Sequence, residues 1–319
     1  MSAEPIGVGV AGVGLMGRRH AENAGHWLPN GRLVAVFDTD RAVASRVANE
    51  LEAAACGSFG ELIDHDDVRV VVIASPARFH AEQAIAALSR GKDVLLEKPM
   101  AHSLAECDRI IAAAQRGRAR LQIGFMRRYD AAYVEAKRRI ASGALGGPLL
   151  FRAVHRDREA ASSGLIDMML ESAIHDFDLG RFLLNDEIAT VTTTAAPNAT
   201  INAVHFARGA LGDIETYSGA LYAYDVRTEV VCEKGTVMIG HPQRTRLEVY
   251  TPSGAAHDLF PGFLERFADA YRDELADFVA GVRERRPPAV TGKDGRAAVA
   301  ASLAAIASFT SGRAEPVAS

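Results

Sequence analysis

Residues Ile6 to Gly17 read IGVGVAGVGLMG. Ile6 to Ala11 is an apolar, β-prone run. Gly12-Val13-Gly14-Leu15-Met16-Gly17 is a GxGxxG turn that opens a helical pattern from about Leu15 to Trp27. A glycine-rich turn alone is a weak signal. Its place directly after a strand and at the head of a helix gives it meaning. Gly12 permits the tight turn, Gly14 lets the backbone approach a pyrophosphate, and Gly17 lets helix and strand pack closely. The start of the helix offers N–H groups to phosphate oxygens.

Working outward, strands from Leu33 to Phe37, Val70 to Ala74, Val94 to Leu96 and Leu121 to Phe125 alternate with helical patterns. These patterns cover Arg41 to about Glu52, Ala77 to Ser89, and a stretch N-capped by Ser103 with Glu106 at capping-box spacing. Continuous apolar strands alternating with helices predict a parallel sheet covered on both faces. After Gly124 the character changes. A helix from about Ala131 to Ala141 leads to a strand near Leu149 to His155, the loop AASSGL and a helix from about Met168 to Leu184. Short β segments follow at Ile188 to Ala195, Asn202 to Ala207, Asp213 to Ser218, Arg227 to Cys232, Val237 to Ile239 and Arg246 to Tyr250. Two helices, about Leu264 to Arg285 and Gly295 to Ser311, end the chain. The expected fold is α/β: a Rossmann-type doubly wound parallel sheet over residues 1–124, then an α+β domain with an open, largely antiparallel sheet over 125–319.

Asp38 lies at the end of the second strand, 21 residues beyond Gly17. A carboxylate there accepts hydrogen bonds from adenosine ribose hydroxyls and repels a 2′-phosphate, which favours NAD over NADP. Asp40 adds to the repulsion, whereas Arg41 is a group that accepts a 2′-phosphate. Bulk properties are those of an ordinary globular protein. The 319 residues suffice for two domains, 48% are hydrophobic, and the net charge of −4 gives no reason to expect nucleic acid or an anionic membrane as a partner. Cys56, Cys107 and Cys232 are dispersed and form no CxxC pair, which fits a reducing cytoplasm and argues against a structural metal. No apolar run reaches the length of a membrane span, and the N-terminus lacks a basic signal-peptide region. Arginine outnumbers lysine 31 to 5, which makes each lysine worth inspecting.

One lysine stands in LLEKPM, Leu95 to Met100, where an apolar strand runs into Glu97-Lys98-Pro99. Lys98 falls at the carboxyl end of a parallel strand, where open α/β sheets bind ligands. A second run, ESAIHDFD (Glu171 to Asp178), places Glu171, His175 and Asp178 on one face of a continuous helix. A histidine on such a face is also a common core residue, and a Glu–His pair one turn apart also suits a metal, but no third ligand is evident. Taken together, the two runs suit a dehydrogenase. His175 takes the alcohol proton, Lys98 stabilises the alkoxide, and Glu171 orients the imidazole.

These features resemble the glucose–fructose oxidoreductase/inositol dehydrogenase/rhizopine-catabolism (Gfo/Idh/MocA) family, of which EKP after a Rossmann fingerprint is a hallmark. GFMRRYD (Gly124 to Asp130), VHRD (Val154 to Asp157), ESAIHDFDLGRFLLNDEI (Glu171 to Ile188), YAYD (Tyr222 to Asp225) and RFADAY (Arg266 to Tyr271) are similar to inositol 2-dehydrogenases. The resemblance implies NAD as cofactor, Lys98 and His175 as catalytic residues, and a homo-oligomer, dimer or tetramer, built on the open sheet. It adds Ser75, Pro76, His80, Glu97 and Lys98 to the cofactor-contacting Gly12, Gly14, Leu15, Met16, Gly17 and Asp38. It further implies a polyol pocket between the domains lined by Arg127, His155, Asp157, Asp178, Tyr224 and Tyr271, although Tyr271 also sits on an apolar helical stripe. Two departures fall in that set: inositol enzymes usually carry aspartate in place of Glu171, and often asparagine in place of Asp157. The implied reaction is myo-inositol to its 2-keto product. The alternatives are scyllo-inositol, a hexose or an aminocyclitol precursor, and, from another class, a non-catalytic NAD-binding regulator.

Overall fold

The computed structural model describes residues 4–159 and 164–319, and Ala160 to Ser163 of the expected AASSGL loop lie outside them. Two compact units result: residues 1–126 with 269–299, and residues 127–268 with 300–319.

The first unit is built on strands β1 (Ile6–Ala11), β2 (Gly31–Phe37), β3 (Ala54–Ala55), β4 (Val70–Ile73), β5 (Asp93–Glu97) and β6 (Leu121–Gly124), in the order β3-β2-β1-β4-β5-β6. Every pairing in it is parallel. Order reverses between β1 and β4, so the carboxyl ends of these two strands flank the switch point at which such sheets bind nucleotides. Buried strands of Val, Leu and Ile explain why the sheet takes helices on both faces. Ser103 caps the helix Leu104–Gly117, accepting from the Glu106 N–H at 3.3 Å and donating to its carboxylate at 2.9 Å, a variant of the expected capping box in which the carboxylate takes the hydroxyl proton and not the Ser103 N–H.

The expected division at residue 124 needs one correction. The helix Ala268–Glu284 belongs with the first unit, where Leu275, Phe278, Val279 and Val282 join Val8, Val10, Val36, Val72 and Leu95 in one core. Helical periodicity shows that a stripe is apolar; it does not say which sheet the stripe covers.

The second unit carries β7 (Pro148–Asp157), β8 (Ile188–Ala196), β9 (Ala199–Phe206), β10 (Leu211–Ser218), β11 (Asp225–Cys232) and β12 (Gly235–Ile239), a two-stranded hairpin of β13 (Gln243–Thr251) and β14 (Gly254–Leu259), and the short β15 (Glu315–Pro316). The large sheet runs β12-β11-β7-β10-β9-β8-β15 and is antiparallel except at the β7–β10 pair. Its strands alternate buried and exposed residues, as in β9, so one face is packed and the other open. On the packed face Phe151 meets Phe206 edge-on at 6.2 Å. A Cβ on Gly180 would lie 2.9 Å from the Phe206 ring, so the glycine lets the helix Ile174–Leu184 press onto the sheet.

A further correction concerns the segment expected as one helix from Met168 to Leu184. Met168–Ala173 is π-helical and only Ile174–Leu184 is α-helical. A π turn holds an extra residue, so the one-face argument for Glu171, His175 and Asp178 does not apply. Glu171 is exposed, whereas His175 and Asp178 are buried.

Candidate functional site

In the first unit the glycine turn forms as its sequence demands. Gly12 has φ +78°, and a Cβ there would sit 2.6 Å from the Ser75 nitrogen. A Cβ on Gly17 would lie 1.6 Å from the Gly12 carbonyl oxygen, whereas one on Gly14 meets nothing within 4 Å. Two glycines are thus required by close packing, and the third faces open space at the head of the helix Leu15–His26. That helix has no side-chain cap and no acid in its first turn. Its start is therefore suited to a phosphate. Leu15 is exposed and Met16 half-buried beside it.

Asp38 directly follows β2 and is half-buried. One carboxylate oxygen accepts from the Val13 N–H at 2.8 Å, the other from the Asp40 N–H at 2.9 Å. These bonds tie Asp38 to the glycine turn, and each oxygen retains a lone pair for a ribose hydroxyl. Asp40 does a different job: it N-caps the helix Arg41–Glu50 through the Ala42 and Val43 N–H groups.

At the β5 end, Lys98 is half-buried and its peptide bond to Pro99 is cis. His80 braces this loop, with Nδ1 2.8 Å from the Pro99 carbonyl and Nε2 2.8 Å from the Ser75 carbonyl. Ser75 donates to Gln83 at 2.6 Å, and Pro76 is exposed. Glu97, the last residue of β5, turns its side chain inward. It is buried, with one oxygen 2.7 Å from His20 Nε2 and the other accepting the Lys98 N–H at 3.2 Å. Tyr271 also belongs to this unit, buried with its ring edge-on to His20 at 6.0 Å.

The second unit gathers the remaining candidates around a buried charge pair. Arg127 follows β6 in a short 3-10 turn and is fully buried. Its Nη1 donates to Asp176 at 2.8 Å, and its Nη2 donates to the Tyr224 hydroxyl at 3.2 Å. His155 on β7 points Nδ1 at Asp176, 3.2 Å away, and Nε2 at Asp157, 3.4 Å away. Arg127 Nη2 lies 3.1 Å from the same Nδ1, so the ring stands between two carboxylates and a guanidinium. Burial and the Arg127 charge favour the neutral ring, but Asp157 and Asp176 together raise the His155 pKa. Burial likewise pushes Asp157 up, but His155 and the Ser172 hydroxyl, 2.9 Å away, bring its pKa down to about 2. Arg127 is desolvated too, yet the Asp176 carboxylate raises its pKa and keeps it charged. Desolvation raises the Tyr224 pKa, so its phenol stays neutral.

His175 lies beside this network, its ring centre 6.5 Å from that of His155. Asp157 is its open member, with 30% of its side chain exposed, whereas Asp176 is sealed at 1%. The array offers an imidazole, a carboxylate and a neutral phenol to a polyhydroxylated ring. Asp178 accepts a two-pronged bond from Arg128, at 2.8 and 2.5 Å. Asp176, not singled out in the sequence, is the acid that organises the site. Its only sequence signal is its position beside His175 in HDFD.

Among the described residues no helix is long and apolar enough to cross a membrane. A family described as oxidoreductases with an NAD-binding Rossmann fold matches residues 6–125, and its C-terminal alpha/beta domain matches residues 137–318. Inositol 2-dehydrogenase 4 of Saccharopolyspora erythraea is 35% identical over 99% of this chain and 97% of that protein. The structure of scyllo-inositol dehydrogenase from Lactobacillus casei with NAD(H) and scyllo-inositol bound is similar, with TM-score 0.93 and 26% identity over 99% of this chain and all of that one. So is the structure of myo-inositol dehydrogenase from Lactobacillus casei with NAD(H) and myo-inositol bound, with TM-score 0.92 and 25% identity over 99% and 97%. A glycine turn with an acid at the β2 end, an EKP strand exit and two matching domains have one explanation: the chain belongs to the NAD-binding Gfo/Idh/MocA oxidoreductase family.

Proposed function

We propose that the protein oxidises one CH–OH group of a cyclic polyol, with myo-inositol as the leading substrate and its 2-keto derivative as product. The observation that carries this is the buried His175–His155–Asp157–Asp176–Arg127–Tyr224 array, whose donors and acceptors suit a ring of hydroxyls. NAD, when bound, accepts the hydride. His175 takes the alcohol proton, and the Lys98 ammonium stabilises the oxygen as negative charge grows on it. Asp157 and Tyr224 orient the remaining hydroxyls. Glu171, exposed on the π turn, is left out of the mechanism.

The test is a panel of polyols and sugars with NAD or NADP, read by absorbance of the reduced nicotinamide. The expected result is the highest catalytic efficiency with an inositol and NAD, and a narrower NAD preference in Asp38→Ala. Equal efficiency with NADP would overturn the ribose assignment. Scyllo-inositol is the second reading, because a scyllo-inositol enzyme and a myo-inositol enzyme match this chain at nearly the same identity. A protein that binds NAD but oxidises nothing in the panel would instead be a regulator.

We also propose that the open face of the large sheet contacts another copy of the chain. Ile201, Leu211 and Tyr217 are exposed on its strands. Apolar side chains left exposed on a sheet face are the kind of surface a second copy covers. Light scattering is expected to give a mass well above the 34.0 kDa of one chain; a monomer at working concentration would sink the idea.

A further inference from the structure

Behind Lys98 lies a cluster that the reaction described above does not use. Glu274, on the helix Ala268–Glu284, is 0% exposed, and neither carboxylate oxygen has a hydrogen-bond partner among the described residues. One oxygen lies within 4.8 Å of the facing atoms of His20 and Glu97. An ionised carboxylate without partners in a core is very costly, and two carboxylates that share a buried site do not both ionise.

The surroundings decide which of the two keeps the charge. Glu97 receives the His20 contact and the Lys98 N–H. Burial pushes its pKa up, but the hydrogen bond and charge of His20, with the charges of Lys98 and His80, hold it below the ordinary value. Glu274 has no such support. Burial, then the negative charge of Glu97, raises its pKa well above the ordinary value. The other polar groups near the cluster are Tyr271, edge-on to His20, and the Gln122 amide, which donates to the Glu274 backbone carbonyl at 3.4 Å.

The three side chains also form a possible metal set, and the geometry argues against it. Two ligands bound at about 2.0–2.1 Å in a tetrahedron stand about 3.3 Å apart. His20 Nε2 and Glu97 Oε1 are 2.7 Å apart, the separation of a hydrogen bond.

We propose that Glu274 is a positioning residue for Lys98: it remains a neutral carboxylic acid at neutral pH, so that Glu97 alone carries the negative charge and stays fixed between His20 and the Lys98 backbone. Ionised Glu274 would repel Glu97 and loosen the strand end that presents the lysine. The proposal rests on the reading of Lys98 as the cation beside the reacting oxygen.

The test uses the full chain, wild type, Glu274→Gln and Glu274→Leu. Infrared difference spectra at neutral pH are expected to show a protonated-carboxyl band in the wild type that disappears in Glu274→Gln. The stability of the pair should also diverge with pH. Above the ordinary value of 4.5 the unfolded chain loses this proton while the folded chain keeps it, so wild-type stability falls as pH rises toward the folded pKa. Glu274→Gln carries no such proton, so its melting temperature should gain on the wild type progressively above that pH. Glu274→Gln, neutral at every pH, should hold its kcat at high pH where the wild type loses it as Glu274 ionises, and Glu274→Leu, also neutral, should show the same flat profile. Absence of the band, a stability difference independent of pH, or one equivalent of metal by elemental analysis would overturn the proposal. If the band and the pH-dependent gain are present but Lys98→Met is active, the reading of Lys98 fails and the positioning role falls with it, while the proton on Glu274 stands.

Discussion

Lys98→Met is expected to lose nearly all polyol oxidation while binding NAD within a few-fold of the wild type. Methionine keeps the length and bulk of the stem and removes the charge. Lys98 follows β5 directly, in a loop braced by His80 through the Pro99 and Ser75 carbonyls, so its reach is restricted. A cation held in place before the reaction stabilises the growing alkoxide without the cost of reorganising water around it. Removing one such group typically lowers the rate about a hundredfold to a thousandfold. NAD affinity rests largely on the glycine turn and Asp38, which the substitution leaves alone. Turnover with the best substrate and titration of NAD separate the two effects. If Lys98→Met retained most of its turnover, Lys98 would be a strand-exit lysine and the mechanism would fail.

Asp176→Ala is expected to cost more in stability than any exposed ion-pair substitution in this protein. Arg127 and Asp176 are each 1% exposed at the side chain, 2.8 Å apart. Removing the acid leaves the guanidinium buried without its main counter-charge, a change worth roughly 3–5 kcal/mol. His155 loses one of its two carboxylates in the same step. The double variant Asp176→Leu with Arg127→Met removes both charges and should recover much of the lost stability, because the desolvation cost disappears with them. Chemical denaturation of the three proteins measures this directly. A single variant within about 1 kcal/mol of the wild type would mean that Tyr224 and His155 suffice for Arg127. By contrast, Glu135 with Arg138 and Arg139 is an exposed cluster whose removal should leave stability nearly unchanged.

Local chemistry was legible from the residues alone. The strand Ile6–Ala11, its glycine turn and the following helix are fixed by steric demands, since Gly12 has positive φ and Gly17 admits no Cβ. The Ser103 capping box and the change from buried parallel strands to alternating ones are likewise properties of short windows. The family resemblance rested on the same windows, and the matching domain families agree with it.

Tertiary structure decided which groups meet. Asp176 and Asp178 are two residues apart in one helix, yet one organises His155 and Arg127 while the other is taken by Arg128. Spacing gives both a helical position, but the partner comes from another element. Tyr271 and Glu274 sit on an amphipathic helix whose pattern looks alike whether it covers one sheet or the other. Only packing against β1, β4 and β5 brings them to His20 and Glu97. The π turn before His175, on which Glu171 is exposed, leaves no mark in the spacing of apolar residues. Sequence periodicity reports the shape of an element and the polarity of its faces. The charge state of Glu274 depends on what those faces bury, and that is set by residues 177 and 254 positions away in the chain, Glu97 and His20.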